Sequence, residues 1–420
     1  MTGGDSVGMN GDSDRSRIRA WIYLRRVVEA SSVGVLDCLW PDGDSSQPAD
    51  VERLAGMISR SDPALPQQVL QSTTGRSQAD PVVDDDWARR HGWRLITPDD
   101  PEWPREILEE AFMMIDGDVA VDGVRGQAAQ PFALWATGEG TLDALVQRSV
   151  AMVGTRSATS YGREVTQEMA GELATAGYTV VSGGALGIDT AAHRGALDTG
   201  GSTVVVMANG PGVAYPTANA RLFAAAATTG LVVTEYPPLQ RPARHRFLTR
   251  NRLVAAMTQG TVLLAAGYRS GAVNTANWAD QMVKPVMVLP GPVTLAEYIG
   301  CHKRIRDGAG ILVTRALDVR EVLEPLGVVD TDRQLSLDCA PSPVQLLTQQ
   351  QLKVYDCCGL PGDGAVGVGS AAGAGPAQGE PEQIARETAM PVTEVVRIIG
   401  ELEKVGLAVR DGARWVKVRS

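Results

Sequence analysis

The sequence contains no run of about 18 or more apolar residues, which argues against a membrane-spanning helix. It opens on MTGGDSVGMNGDSDR, polar and acidic with no apolar centre, so no secretory leader is expected. There are 5 cysteines in 420 residues and none is in C-x-x-C spacing. That excludes a disulfide framework or a cysteine zinc cluster as an organising principle. Cys357 and Cys358 are adjacent, and neighbouring cysteines rarely bridge. These absences together lead us to expect a reducing, cytoplasmic setting with no membrane contact. Catalytic signatures are missing too. H-E-x-x-H does not occur, and no apolar strand run ends in a G-x-S-x-G elbow. We expect no enzyme, no catalytic residue, no metal and no cofactor.

Apolar residues make up 44% of the chain, enough for a packed core. At about 150 residues per domain the length allows two to four domains. The net charge of −10 is unevenly placed. Residues 1–122 hold 12 basic and 23 acidic side chains, leaving 27 basic and 26 acidic in 123–420. All excess acid lies at the front. Local fields decide binding, so an acidic total does not exclude a basic face further on.

Residues 1–14 read as a disordered tail. RIRAWIYLRRVVEA, from Arg17, spaces Ile18, Trp21, Ile22, Leu24 and Val28 as a helix does. With the proline-broken pieces that follow, 15–92 is expected to be a small helical domain. From about 150, short apolar runs alternate with helical stretches. The runs are 150–154, 179–183, 202–208, 231–235, 261–266 and 285–290. The helices between them are expected near 162–176, 189–199, 217–227, 248–258 and 272–283. Continuous apolar strands alternating with helices imply a parallel sheet covered on both faces. We therefore expect an α/β fold over 93–330, doubly wound and Rossmann-like, with a mostly parallel sheet. Such folds bind ligands beyond the carboxyl ends of the strands. A connector at 331–342 leads to a tail, 343–420. The tail begins with a helix-like segment at 344–358 and a Gly-rich loop at 361–379, in which 7 of 19 residues are Gly. Two short helices and an Asp411-Gly412 hairpin follow, which together form a winged-helix pattern.

Three loops stand out at strand ends. They are GTRSATSYG after the first main run, SGGALGID after the second and GYRSGAVNTA after the fifth. Each leads into a helix N-terminus, where free N–H groups and the helix dipole favour phosphate. For any single loop, tight-turn glycines and capping hydroxyls explain the composition equally well. Three on one sheet edge favour a phosphate site. None of them carries G-x-G-x-x-G or a P-loop, so a standard dinucleotide or nucleoside triphosphate site is not expected.

The strongest local signal lies between 236 and 279. These 44 residues hold no Asp or Glu but six arginines: Arg241, Arg244, Arg246, Arg250, Arg252 and Arg269. His245 and Phe247 are interleaved. With no acid nearby, structural salt bridges are the weaker explanation, and guanidinium forks suit phosphate. An anionic polymer is the expected partner. His193 lies one helical turn after Asp189 and could pair with it, more simply as a structural bond than as a catalytic dyad. Cys301 and His302 are adjacent, and neighbours on a helix point apart.

Eight segments, in order, resemble the DNA processing protein A (DprA, or Smf) family. They are VGTRSATSYG, VSGGALGIDTAAHRGAL, YPTANARLF, TEYPP, RFLTRNRLVAA, RSGAVNTA, LPGP and GCHKRIRDGA. The resemblance covers about 93–325. The tail is similar to the winged-helix domain many members carry, and the front is loosely similar to their variable helical (SAM/HhH-like) domain. The resemblance implies a protein that binds and protects single-stranded DNA, as a homodimer, and helps load a RecA-type recombinase in natural transformation and recombination. By matching motif it implies DNA contacts from Arg156, Gly183, Gly184, Arg250, Arg252, Ser270, Gly271 and Thr275. The loops and the arginine cluster add Thr155, Arg244, Arg246, Asn251 and Asn274. Three positions depart from the family pattern. Thr249 stands where a further arginine is common, Asn274 where an aliphatic is usual, and Thr217 where a basic residue often follows Tyr-Pro. Arg410, Arg414, Lys417 and Arg419 cluster near the hairpin of the tail, as a partner contact or a solvated face.

Two other readings compete. Related Rossmann-like nucleotide phosphoribohydrolases carry P-G-G-x-G-T-x-x-E, but Gly267–Gly271 is followed by no acid until Asp280. A protein-binding scaffold with incidental DNA contact is the third.

Overall fold

The computed structural model describes residues 7–29, 32–115, 128–325, 343–360 and 379–418. Two compact units result, one up to residue 329 and one from 330 onward.

The first unit begins with five helices: α1 (Val7–Val27), α2 (Val33–Leu39), α3 (Val51–Ser59), α4 (Gln67–Thr73) and α5 (Pro81–Arg90). Trp21, Ile22, Leu24 and Val28 are buried, as their helical spacing requires. α1 starts at Val7, inside the stretch expected to be a disordered tail. A helix nucleated by a buried segment propagates cheaply into preceding residues. Residues 1–6 lie outside the described residues. The core of these helices is not theirs alone. Trp21, Leu24, Val35, Leu54 and Val69 cluster with Leu95, Phe132 and Trp135 from the edge of the sheet that follows.

That sheet holds nine strands among the described residues, in the order β1-β2-β6-β5-β4-β3-β7-β8-β9. They are β1 (Arg94–Ile96), β2 (Leu134–Thr137), β3 (Ser149–Gly154), β4 (Thr179–Ser182), β5 (Thr203–Val206), β6 (Leu231–Thr234), β7 (Thr261–Ala265), β8 (Val286–Val288) and β9 (Ile311–Leu312). The six expected strands are β3 to β8, and all pair in parallel. β1 and β2 add an antiparallel edge beside β6. Strands β3 to β8 are buried almost throughout, which is why they read as unbroken apolar runs. The intervening helices are α6 (Arg105–Met113), α7 (Leu142–Gln147), α8 (Ser160–Thr175), α9 (Ile188–Asp198), α10 (Ala220–Thr229), α11 (Arg244–Ala256), α12 (Gly271–Gln281), α13 (Ile299–Arg306) and α14 (Ala316–Leu323).

From β3 the chain winds outward through β4, β5 and β6. It then crosses back to β7 on the other side and continues to β8 and β9. The reversal between β3 and β7 opens a crevice beyond their carboxyl ends.

The second unit contains α15 (Gln349–Cys357), α16 (Pro381–Thr388), α17 (Val392–Lys404) and the hairpin β10 (Ala408–Asp411) and β11 (Arg414–Lys417). Thr348 and Gln351 form a reciprocal capping box that starts α15. Val354, Ile384, Val395, Ile398, Ile399 and Leu402 form its core. Gly412, at φ +68°, supplies the left-handed position of the hairpin turn. The expected connector at 331–342 and nearly all of the Gly-rich loop lie outside the described residues. Among the described residues, no helix is long and apolar enough to cross a membrane.

Candidate functional site

A cleft of about 760 Å³ occupies the crevice at the reversal point. The three Gly/Ser/Thr-rich loops meet there because each leaves a neighbouring parallel strand and enters a helix. Their backbones are bonded together: Thr155 N–H donates to the Ala265 carbonyl at 2.7 Å, and Ile188 N–H donates to the Thr155 carbonyl at 3.2 Å. Close approach demands glycine at Gly154, where a Cβ would stand 2.5 Å from Ile188. At Gly187 both φ (+85°) and the Thr155 and Arg156 carbonyls, 2.4 and 2.6 Å from a Cβ, exclude a side chain.

The helix ends differ in what they leave open. Thr159 caps α8 by accepting from Gly162 N–H at 3.1 Å. At α12 the N-cap Ser270 makes no capping bond, and its buried hydroxyl has no partner. A Cβ on Gly271 would meet nothing within 4 Å. The first turn of α12 is therefore open to an anion.

Arg156, Arg244 and Arg250 line this cleft, and Asp189 is its one carboxylate among the described residues. Arg156 and Arg244 are exposed, and Arg156 sits 5.1 Å over the Phe247 ring. Arg250 is 5% exposed. It donates to the Val206 carbonyl, while its Nε has no partner. Burial lowers its pKa to about 10 against the pull of Asp189, so it stays cationic at neutral pH. Burial likewise pushes the Asp189 carboxyl up, opposed by Arg250. That carboxyl accepts from Ala185 N–H at 3.2 Å. Gly183 gives Arg250 its room, since a Cβ there would lie 2.1 Å from the guanidinium.

Thr155, Arg156, Gly183, Arg244, Arg250, Asn251, Ser270, Gly271 and Thr275 thus come together around one cleft. Four expected residues do not line it. Arg252 is fully buried and makes a two-pronged ion pair with Glu235 at 2.7 and 2.8 Å. Arg25 of α1 approaches the same carboxylate at 3.8 Å. Arg246 pairs with Glu29 at 2.8 Å, and His245 reaches Glu29 at 3.0 Å. Gly184 packs under Phe223. Asn274 is buried beside a neighbouring cavity. The expectation that the arginine cluster has no acidic partner therefore needs correcting: Glu235 lies one residue before the counted span, and Glu29 comes from the front helices. His193 does not pair with Asp189. Its Nδ1 donates to the Thr203 hydroxyl at 2.7 Å, which itself donates to the Val180 carbonyl. Burial drives its pKa down to about 3, so it is a neutral core residue. The sequence reading missed Tyr215 of the Tyr-Pro segment. It lines the cleft beside Phe247, their ring centroids 5.6 Å apart.

Residues 94–324 match the family model for DNA recombination-mediator protein A. The chain belongs to that family. It is 40% identical over 410 residues to a DNA processing protein DprA of Mycobacterium tuberculosis, covering 96% of this chain and 95% of the relative. It is 38% identical over 185 residues to the DNA processing protein DprA of Streptococcus pneumoniae, covering 43% of this chain and 64% of the relative. The X-ray structure of DNA processing protein A from Streptococcus pneumoniae superposes with a TM-score of 0.58 at 27% identity, covering 73% of this chain and 98% of that one.

All the candidate residues fall inside the family-matched segment. The departures from the recombination-mediator pattern have structural places. Thr249 is buried, its hydroxyl donating to the His245 carbonyl at 3.1 Å. Thr217 opens a short 3-10 turn. Asn274 accepts from Asn251 at 3.2 Å. In the tail, Arg414 pairs with Asp411 at 3.3 Å and Lys417 with Asp356 at 3.9 Å. Arg419 lies outside the described residues.

Proposed function

We propose that this DNA-processing protein binds single-stranded DNA in the cleft at the β3/β7 reversal. In this reading the phosphate backbone lies over the open end of α12 and is gripped by Arg156, Arg244 and Arg250. Thr155, Gly183, Asn251, Ser270, Gly271 and Thr275 complete the surface. Tyr215 and Phe247 offer ring faces for base stacking, which tolerates any sequence. The observation that carries the reading is the excess of cations over carboxylates in a glycine-lined crevice that ends on an uncapped helix. A mediator of recombination must hand its strand on. We infer that it does so as a homodimer in the cytoplasm, to a RecA-type recombinase, with the tail acting as a winged-helix module for a partner or duplex. No catalytic step is assigned: Asp189 is buried and already bonded, so the cleft presents no free carboxylate among the described residues for glycosidic chemistry.

Fluorescence anisotropy with labelled oligo-dT across a salt series tests this. Affinity falls as salt rises, with a log–log slope of about −0.7 per phosphate contacted on a single strand. Arg156→Ala with Arg244→Ala lowers affinity for every sequence alike and flattens the slope by roughly 1.4. Salt-independent binding, or an unchanged slope in the double variant, rejects the cleft as the DNA site.

A further inference from the structure

A second cavity of about 650 Å³ lies on the other side of the loop that starts α12. It shares Leu248, Ser270 and Gly271 with the first, so the two cavities flank the same helix end. Its lining carries unmet donors. Asn274 lines it, is 2% exposed, and has an amide nitrogen with no hydrogen-bond partner. The orientation of that amide is fixed, because its oxygen already accepts from Asn251 at 3.2 Å. Beside it is the unpartnered Ser270 hydroxyl. Buried donors are normally met, and such groups call for an explanation.

The charges around the cavity are mostly spent. Arg304 bonds Asp280 at 2.7 Å and the Ala309 carbonyl at 2.8 Å. Lys303 is paired with Asp307, the cavity's carboxylate. Arg269 is exposed and makes no ion pair among the described residues. What remains is a cation at the rim, unmet donors inside and the positive end of an 11-residue helix.

We propose that this second cavity is a further phosphate subsite, holding a backbone phosphate of the same DNA strand after it leaves the first cleft. Asn274 and Ser270 donate to its oxygens, and Arg269 neutralises it. The proposal rests on the DNA-binding reading above and extends it by naming where the strand goes next. It also gives a purpose to Asn274, a buried polar residue whose amide nitrogen is unmet within the fold. The shared chemistry is a phosphate anion, and the experiment separates a strand phosphate from a free one.

The test uses the full chain and anisotropy with labelled oligo-dT of about 4 and about 12 nucleotides, lengths that bracket a short site and an extended one. Asn274→Leu and Arg269→Ala are compared with wild type. Arg269 is exposed, so that variant folds even if the core change does not. Expected is a several-fold loss of affinity for the longer strand in each variant, with the salt slope shallower by about 0.7 in Arg269→Ala, which removes the cation, and unchanged in Asn274→Leu. Binding of the short strand by Arg269→Ala stays unchanged. Unchanged binding of both lengths while wild type still binds would overturn the subsite and leave the cleft reading intact. An equal loss on both lengths would also overturn it, by placing these residues in the first cleft. Displacement of the length-dependent gain by millimolar inorganic phosphate would overturn the strand assignment in favour of a free anion. Failure of wild type to bind either strand would instead reject the DNA-binding reading itself.

Discussion

Replacing Arg252 by Met separates a structural arginine from a DNA-binding one. Both side chains of the Arg252–Glu235 pair are fully buried. Removing the cation leaves a carboxylate in the core, and breaking one side of a buried pair costs about 3–5 kcal/mol. Arg25 stays 3.8 Å from that carboxylate and compensates in part, so the expected loss is near the lower end, about 3 kcal/mol. At ~2.1 cal/mol/K per residue, a body of roughly 300 residues has an unfolding entropy near 0.6 kcal/mol/K, so the midpoint falls by roughly 5 °C. Thermal and urea unfolding followed by circular dichroism measure this. The control on the same helix is Arg244→Ala. That side chain is exposed and makes no ion pair among the described residues, so its stability should stay within about 0.5 kcal/mol of wild type. Binding should order the two variants the other way round. Arg244→Ala weakens DNA affinity, while folded Arg252→Met binds nearly as wild type. Wild-type stability together with lost binding in Arg252→Met would refute the buried-pair argument and return Arg252 to the interface.

Gly183→Ala should weaken DNA binding with little change in fold, because the new methyl would lie 2.1 Å from the Arg250 guanidinium and must displace it; anisotropy against the salt series reads this out. The Glu29 cluster predicts a pH dependence. Burial alone would raise the Glu29 pKa, but hydrogen bonds from His245 and Arg246 and the charges of Arg246 and Arg76 bring it down to about 2. A depressed carboxylate adds stability that is complete above its unfolded value of about 4.5 and is lost as pH falls toward 2. Glu29→Gln should therefore be less stable than wild type at neutral pH and converge with it across that window, which urea titrations at several pH values would show. Ile398→Ala, in the core of the second unit, should cost about 2–5 kcal/mol in that unit. Differential scanning calorimetry reads the loss, and an unchanged profile would contradict the place of Ile398 in that core.

The six central strands were legible because their burial on both faces writes itself as apolar runs, and the alternating helices then fixed a doubly wound sheet. The edge strands were not legible. β1 is three residues long, and Arg94 within it pairs with Glu102 at 2.7 Å rather than adding an apolar position. β2 pairs antiparallel with β6 across about a hundred residues of sequence, a contact no local pattern encodes. α11 was hardest to read. Arg246, Arg250 and Arg252 all lie on a helix buried over most of its surface, so its charged residues mimic a solvated face.

The arginine cluster shows why a local count of acids misleads. Counting between 236 and 279 finds none, yet Glu235 stands one residue outside and Glu29 belongs to another part of the chain. Ion pairing depends on distance in space, and the two decisive acids are adjacent only after folding. The consequence is a division of labour along a single helix. Arg246 and Arg252 are matched by acids and tie α11 to the front helices and the sheet. Arg244 and Arg250 are not matched by an ion pair at contact distance among the described residues, and both line the cleft. Desolvated arginines that keep an acid hold the fold together. Those left without one leave a positive field that a strand of DNA can neutralise. On this argument the number of phosphates bound follows the unpaired arginines and not the total. The salt slope of the wild type should therefore fall short of one contact for each of the six arginines in the span.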